Sequence, residues 1–294
     1  MKIVTDSGTD TGLSPAQLEE LNITVVPLVV SLEGKSYFEG VNITPEEFYP
    51  LLTQAKRMPI TSQPSVGTFA EEYKRIAADD PEILSIHMSS GLSGTYNAAV
   101  AAAELVPEAS ITHVDTKTLS AAAGWQVKAA AAAAKTGWAK DRILDLMKRI
   151  GSASDSIYTL KELKYLIHGG RISHLTGTIA SLLDIKPLIG VEKKGGTYVQ
   201  LGRVRTFNKA LEGLVDLIAR QHPKGSSLRI QVLHSFNPEG AATLREMADA
   251  RFDCNWLPLG PLSLVLGAHT GPSMVGVAYA PAEVFNEIPA GAGI

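Results

Sequence analysis

Apolar residues follow two rhythms over the first 150 positions. Short β-branched runs alternate with longer stretches in which apolar residues recur every three or four positions. Ile3-Val4 opens a strand that breaks at Asp6-Ser7-Gly8. Leu13 to Leu21 reads as a helix, with Ser14 as N-cap and Pro15 in the first turn. Ile23 to Leu32 is a continuous β-branched run, the pattern of one buried strand. Thr44-Pro45-Glu46-Glu47 starts a helix with a hydroxyl cap, a proline and first-turn acids. Gly67 to Ala78 is helical, and Ile83 to Met88 is a strand. A Gly/Ser turn at 89–94 leads into an alanine-rich helix to Leu105. Ile111 to Val114 is the next strand, and Asp115-Thr116 leads to a helix reaching 134. Asp141 to Ile150 closes the region as an amphipathic helix. Alternation of this kind predicts an N-terminal three-layer α/β domain with a mainly parallel sheet.

The pattern changes after Gly151-Ser152-Ala153-Ser154, a small-residue stretch that reads as a boundary between domains 1–154 and 155–294. Ile157 to Leu160 is a strand, and Lys186 to Val191 and Thr197 to Val204 flank a hairpin turn at Lys193-Lys194-Gly195-Gly196. Phe207 to Arg220 and Pro238 to Ala250 are helices. Leu228 to His234, Trp256 to Leu259 and Met274 to Tyr279 read as strands, and Ser263 to His269 as a short helix. This half predicts a smaller α+β domain, and no repeat of fixed period occurs in the sequence.

Composition narrows the class. A length of 294 residues suits two domains. A net charge of −3 argues against a nucleic-acid face. Mean hydropathy of +0.08 is high for a soluble chain and leaves apolar residues beyond what a core needs. One cysteine, Cys254, allows no intramolecular disulfide and reads as a small buried residue. Asp6 arrives before an apolar run forms, which is unlike a signal peptide, so the expected location is the cytoplasm. No run reaches the ~20 apolar residues of a membrane span. The nearest stretch, 121–134, is interrupted by Gly124, Gln126 and Lys128.

The most distinctive segment is His87-Met88-Ser89-Ser90-Gly91-Leu92-Ser93-Gly94-Thr95-Tyr96-Asn97, at a strand end that opens a helix. Ligands bind at such strand ends, and a helix N-terminus offers N–H donors to a carboxylate or phosphate. The bland alternative is a capped Ser/Gly turn. The segment also approaches a nucleophile elbow, G-x-S-x-G, but Thr95 stands where the last glycine belongs. His168-Gly169-Gly170-Arg171 resembles an oxyanion-hole motif, yet follows the serine instead of preceding it. A hydrolase using Ser93, or a small-anion-binding module, therefore stays open. Thr61-Ser62-Gln63-Pro64-Ser65 precedes a helix and gains meaning only if it meets Ser93 in space. None of the seven histidines forms HExxH, no cysteine cluster or EF-hand loop occurs, and Asp6 and Asp115 read as strand-end caps, so no metal is expected. No GxGxxG or Walker A string occurs. Basic residues gather at Lys161, Lys164, Arg171, Lys186, Lys193, Lys194, Arg203, Arg205 and Lys209, as a solvated face or as a docking surface for an acidic partner.

Taken in order, Val4-Thr5-Asp6-Ser7, Thr61-Ser62-Gln63-Pro64, Ser89 to Tyr96, Gly169-Gly170-Arg171-Ile172-Ser173, Ile185-Lys186-Pro187 and Gly202-Arg203-Val204-Arg205-Thr206 resemble the DegV family of bacterial fatty-acid-binding proteins. The resemblance runs from Lys2 to about Tyr279. It implies two domains holding a long-chain, palmitate-like fatty acid between them, with no cofactor. It implies a monomeric carrier, itself no enzyme, that presents the carboxylate to a separate ATP-dependent kinase subunit making acyl-phosphate for phospholipid synthesis. By the same resemblance Thr61, Ser93 and His269 hold the carboxylate, with Ser62, Gly94 and Thr95 as further head-group contacts, and Arg171 and Arg205 dock the kinase.

Overall fold

The computed structural model describes residues 1–174 and 185–289. Its first half contains β1 (Lys2–Asp6), α1 (Pro15–Glu20), β2 (Ile23–Val26), β3 (Val29–Leu32), β4 (Lys35–Phe38), α2 (Pro45–Gln54), β5 (Ile60–Ser62), α3 (Val66–Ala77), β6 (Glu82–His87), α4 (Thr95–Ala103), β7 (Ser110–Asp115), α5 (Ser120–Lys135) and α6 (Lys140–Ala153). Its second half contains β8 (Asp155–Thr159), α7 (Lys164–His168), β9 (Lys186–Val191), β10 (Tyr198–Val204), α8 (Phe207–Gln221), β11 (Ser227–His234), α9 (Pro238–Asp249), β12 (Asp253–Trp256), β13 (Gly260–Pro261), α10 (Leu264–Thr270) and β14 (Val275–Pro281).

The expected parallel sheet is present, in the order β2-β1-β6-β7. Successive residues of β1 face opposite sides, as the two-residue period of a strand requires. Val4 packs with Phe69, Tyr73 and Ala98 from α3 and α4, while Ile3 joins the core that contains Trp125 of α5. Ser14 and Thr44 form capping boxes with Gln17 and Glu47, as their spacing predicts.

The run from Ile23 to Leu32 is not one strand. Pro27 has no N–H for a ladder, and the Leu28 N–H donates to Ser7 Oγ at 3.0 Å instead. The chain turns there, and β3 leaves for a separate antiparallel sheet in the order β4-β3-β5. The sheet of the chain's later half has seven strands, β10-β9-β8-β14-β11-β12, with β13 also on β11. Its β9–β10 hairpin is as expected. The strand expected at Trp256 to Leu259 lies earlier, at Asp253–Trp256. The small-residue stretch 151–154 is not a loop: α6 continues to Ala153.

The alanine-rich segment becomes legible once both sheets are in place. Fourteen residues of α5 are buried, and the helix touches β1 on one side and β8 and β14 on the other. A helix apolar on all sides must be buried on all sides. Small alanine side chains let two sheets approach it closely, and Trp125 Nε1 donates to Gln231 Oε1 of β11 at 3.0 Å. Helices α8 and α9 cover the outer face of the seven-stranded sheet. Among the described residues no helix is long and apolar enough to cross a membrane. Cys254 is half-buried, and burial pushes its thiol up to about 12, which leaves it unreactive.

Candidate functional site

Four distant segments meet at one cavity of about 240 Å³. Its walls include Thr61 of β5, Ser93 before α4, Arg171 after α7 and His269 of α10. Thr61 owes its position to Pro59 and Pro64. They bracket four residues, the first three of which pair with β3, where Thr61 stands opposite Val30. Ser93 is placed by the turn that follows β6. Buried Asp6 fixes the start of that turn, because its carboxylate accepts from the N–H groups of Gly8 at 2.9 Å and Met88 at 3.0 Å and from His87 Nδ1 at 2.9 Å. His87 Nε2 continues to Ser85 Oγ at 2.6 Å, and Ser85 Oγ lies 2.7 Å from the Tyr73 hydroxyl. Asp6, Ser85 and His87 are fully buried, so this acid–histidine–serine line holds structure and meets no substrate.

His269 approaches Thr61 across 208 residues of sequence, with its Nε2 at 2.8 Å from Thr61 Oγ1. Its Nδ1 is buried and has no hydrogen-bond partner among the described residues. Burial, helped by Arg171 and His168, pushes the imidazole down to about 4, so it is neutral at pH 7. A neutral ring carries one proton, and with no acceptor at Nδ1 that proton belongs on Nε2. Nε2–H then donates to Thr61 Oγ1, and the Thr61 hydroxyl proton is left for the cavity. Ser93 is held by Thr95. Its Oγ accepts from the Thr95 N–H at 3.3 Å and lies 2.8 Å from Thr95 Oγ1. Among the described residues no base bonds Ser93, as a serine nucleophile would need.

Ser62 also lines the cavity, while Thr95 is fully buried behind Ser93. Gly94 packs on the Gln63 side chain, so closely that a Cβ there would lie 2.0 Å from Gln63 Oε1. Arg171, which the resemblance links to a partner surface, has its side chain in the cavity wall, with Nη1 donating to the Gly169 carbonyl at 2.7 Å. Arg205 is exposed, just after β10. In His168-Gly169-Gly170-Arg171 the two glycines serve different ends: a Cβ at Gly169 would run into His269 Nδ1, while Gly170 takes a left-handed φ of 75° with open space beside it. Sequence reasoning missed Gln63, Met88 and Tyr198 as wall residues. Tyr198 sits at the start of the strand after the hairpin, a position that carries no chemical signal of its own.

Behind this cavity lies a second, narrow and apolar one of about 30 Å³. Leu119, Leu233, Leu262 and Met274 are among its lining, and it shares Tyr198 and Leu266 with the polar cavity. The two spaces are therefore adjacent, one polar with a cation and the other nearly all hydrocarbon. Among the described residues no three His, Cys, Asp or Glu side chains converge as metal ligands.

The buried imidazole has a consequence for stability. The unfolded histidine gains a proton below about 6.5, whereas the folded one resists it until about 4. Stability is then lost as pH falls through this window and is unaffected above it. Asp10, pushed up to about 7 by burial, acts in the opposite sense, since its proton favours the folded state at acid pH. A comparison with His269→Gln cancels Asp10. From pH 7 to pH 5 the wild type is expected to lose about 2 kcal/mol more than the variant in urea denaturation. Parallel profiles would refute the buried neutral imidazole.

The family model described as "Uncharacterised protein, DegV family" matches residues 1–282. A DegV domain-containing protein of Deinococcus radiodurans is 33% identical over 279 residues, covering 95% of both chains. Among solved structures, DegV of Bacillus subtilis, described as a fatty acid binding protein, superposes with a TM-score of 0.84 at 26% identity, over 95% of this chain and 98% of that one. A Thermotoga maritima protein whose structure is described as revealing fatty acid binding function gives 0.82 at 29% identity, over 95% and 98%. The ordered motifs, the parallel and mixed sheets and the match along almost the whole length agree: this chain belongs to the DegV family.

Proposed function

We propose that this protein binds a long-chain free fatty acid, palmitate-like in size, between its two halves, 1–154 and 155–294. The observation that carries the reading is the pairing of cavities: a polar one lined by Thr61, Ser93, Arg171 and His269 shares Tyr198 and Leu266 with an apolar one. The solved relatives described as fatty-acid-binding proteins support it. Thr61 and Ser93 donate their hydroxyl protons to the carboxylate. Arg171 supplies the positive charge that a buried carboxylate needs. His269 stays neutral and orients Thr61.

The tail supplies most of the affinity. Burying about 14 methylenes at ~0.8 kcal/mol each gives on the order of 11 kcal/mol before the cost of association is subtracted. The apolar cavity is too narrow for such a tail as it stands, so its flexible lining, Met274 and Leu266 among it, must part on loading. The head group then sets orientation and excludes neutral lipids. The protein on this reading is a cytoplasmic, monomeric carrier and not an enzyme. It presents the carboxylate to a separate ATP-dependent kinase that forms acyl-phosphate for phospholipid synthesis. Exposed Arg205 belongs to the docking face, with Arg203 beside it and Lys186 paired to the same strand end. Arg171 belongs to the head group.

Native mass spectrometry before and after organic extraction tests the reading directly. A bound free fatty acid, lost on extraction, is expected, and inability to bind added palmitate or oleate would sink the idea. Ser93→Ala is expected to weaken palmitate binding about tenfold, and Arg171→Ala about 10–100-fold, the weight of a charge-assisted hydrogen bond. Both variants should unfold at wild-type denaturant midpoints. Unchanged affinity in Arg171→Ala would return that residue to the docking face.

A further inference from the structure

The apolar cavity contains two hydroxyls with nothing to bond. Strand β8 directs Ser156 and Tyr158 to one face, two residues apart, and both line this cavity. Ser156 Oγ and the Tyr158 hydroxyl are buried and have no hydrogen-bond partner among the described residues. The other aliphatic hydroxyls of the lining are occupied: Thr270 Oγ1 donates to the Leu266 carbonyl at 3.1 Å, and Ser120 Oγ donates to Asp10 Oδ2 at 2.6 Å. The neighbouring strand makes room for Tyr158, since Gly276 stands opposite it and a Cβ there would lie 2.9 Å from the Tyr158 Cβ. The Tyr158 ring meets Tyr198 edge-on, with centroids 5.6 Å apart, and Tyr198 lines both cavities. Ser156 is one step further along the strand. Burial, with Tyr198 adding to it, holds the Tyr158 phenol well above its ordinary range, so it remains a donor.

A plain hydrocarbon tail does not explain this wall. Alanine and phenylalanine would fill the same volumes without burying two unsatisfied hydroxyls, and buried polar groups are normally paired. We propose that the tail cavity is built for an acyl chain carrying an oxygen partway along its length, a hydroxy fatty acid, with Ser156 and Tyr158 as the partners of that oxygen. This rests on the fatty-acid reading and specifies its substrate class. A ligand hydroxyl would satisfy the two orphaned groups and be satisfied by them. In a dry apolar tunnel without such partners it would be rejected, because its own hydrogen bonds to water would be lost.

Competition binding on the full chain tests the proposal, with stearate set against 9-, 10- and 12-hydroxystearate. At least one hydroxy acid is expected to bind about tenfold more tightly than stearate. In Ser156→Ala/Tyr158→Phe that order should reverse, with stearate binding as well as or better than in the wild type. Ser156→Ala alone, which removes one atom, should lower the preference partway and guards against a folding defect in the double variant. Stearate binding with every hydroxy acid weaker would overturn the proposal and leave the fatty-acid reading standing. A preference that survives the double variant would overturn the assigned residues. If neither class of acid binds, both readings fall together.

Discussion

Asp6→Ala is expected to cost about 3–5 kcal/mol of stability, the cost of breaking a buried pair by removing one partner. Asp6 is fully buried, and its two oxygens accept from the Gly8 and Met88 N–H groups and from His87 Nδ1. Alanine would orphan all three. The damage should also spread along one direction. Met88 begins the turn that places Ser93, and Met88 itself lines the polar cavity. Denaturant unfolding should therefore show a much lower midpoint, and palmitate affinity should fall further than stability alone explains. Asp6→Asn keeps an acceptor for one of the donors and should lie between. A loss under about 1 kcal/mol in Asp6→Ala would refute the assigned hydrogen bonding.

Gly91→Ala is the second large effect, and its cause is space. Gly91 is not in a left-handed conformation. A Cβ there would lie 2.3 Å from the Gly195 carbonyl oxygen, 2.9 Å from Thr197 Cγ2 and 3.0 Å from the Gly196 carbonyl carbon. Two of these three atoms are backbone of the β9–β10 turn and cannot swing away as a side-chain tip would. Ser89 Oγ donates to the Gly196 carbonyl at 2.8 Å in the same place. The methyl group would have to push the turn of one half off the hairpin of the other. A penalty of about 3 kcal/mol is expected, at the upper end for overpacking, and fatty-acid binding should weaken with it. Gly67→Ala is the control, since its Cβ would meet only Ser65 Oγ at 3.6 Å.

The parts of the fold that local chemistry dictates were legible. Ser14 and Thr44 cap the helices their spacing announces, and β1, β6 and β7 follow the expected alternation. The break inside Ile23 to Leu32 was harder, because Pro27 is the only mark in a run of strand formers, and the partner that replaces the ladder, Ser7, is 21 residues away. Strand β5 was missed for its length: three residues give no periodicity to detect. At the site, the glycines and hydroxyls of the turn before α4 marked it as a candidate from the sequence, and Ser93 does line the polar cavity. The meeting of Thr61 with His269 could not, since nothing local records a contact between residues so far apart. Family resemblance supplied that pairing, and it supplied a different role for Arg171, whose position in the wall depends on α7 folding back against α10.

Helix α10 is seven residues long and borders both cavities. Val265, Leu266 and His269 line the polar one, and Leu266 and Thr270 line the apolar one. Its start is held by the earlier half of the chain, where Asp10 accepts from the Ser263 N–H at 3.0 Å and Glu39 from the Leu264 N–H at 3.1 Å. On the fatty-acid reading, one short helix touches both ends of the ligand. A tail pressing on Leu266 would, on that reading, bear on the same helix that holds His269 against Thr61. The free energies of the two ends are coupled, not additive. Acetate or butyrate, too short to fill the apolar cavity, should on that reading bind more weakly than the share of the whole affinity assigned to a carboxylate, and the site would thereby pass over small organic acids.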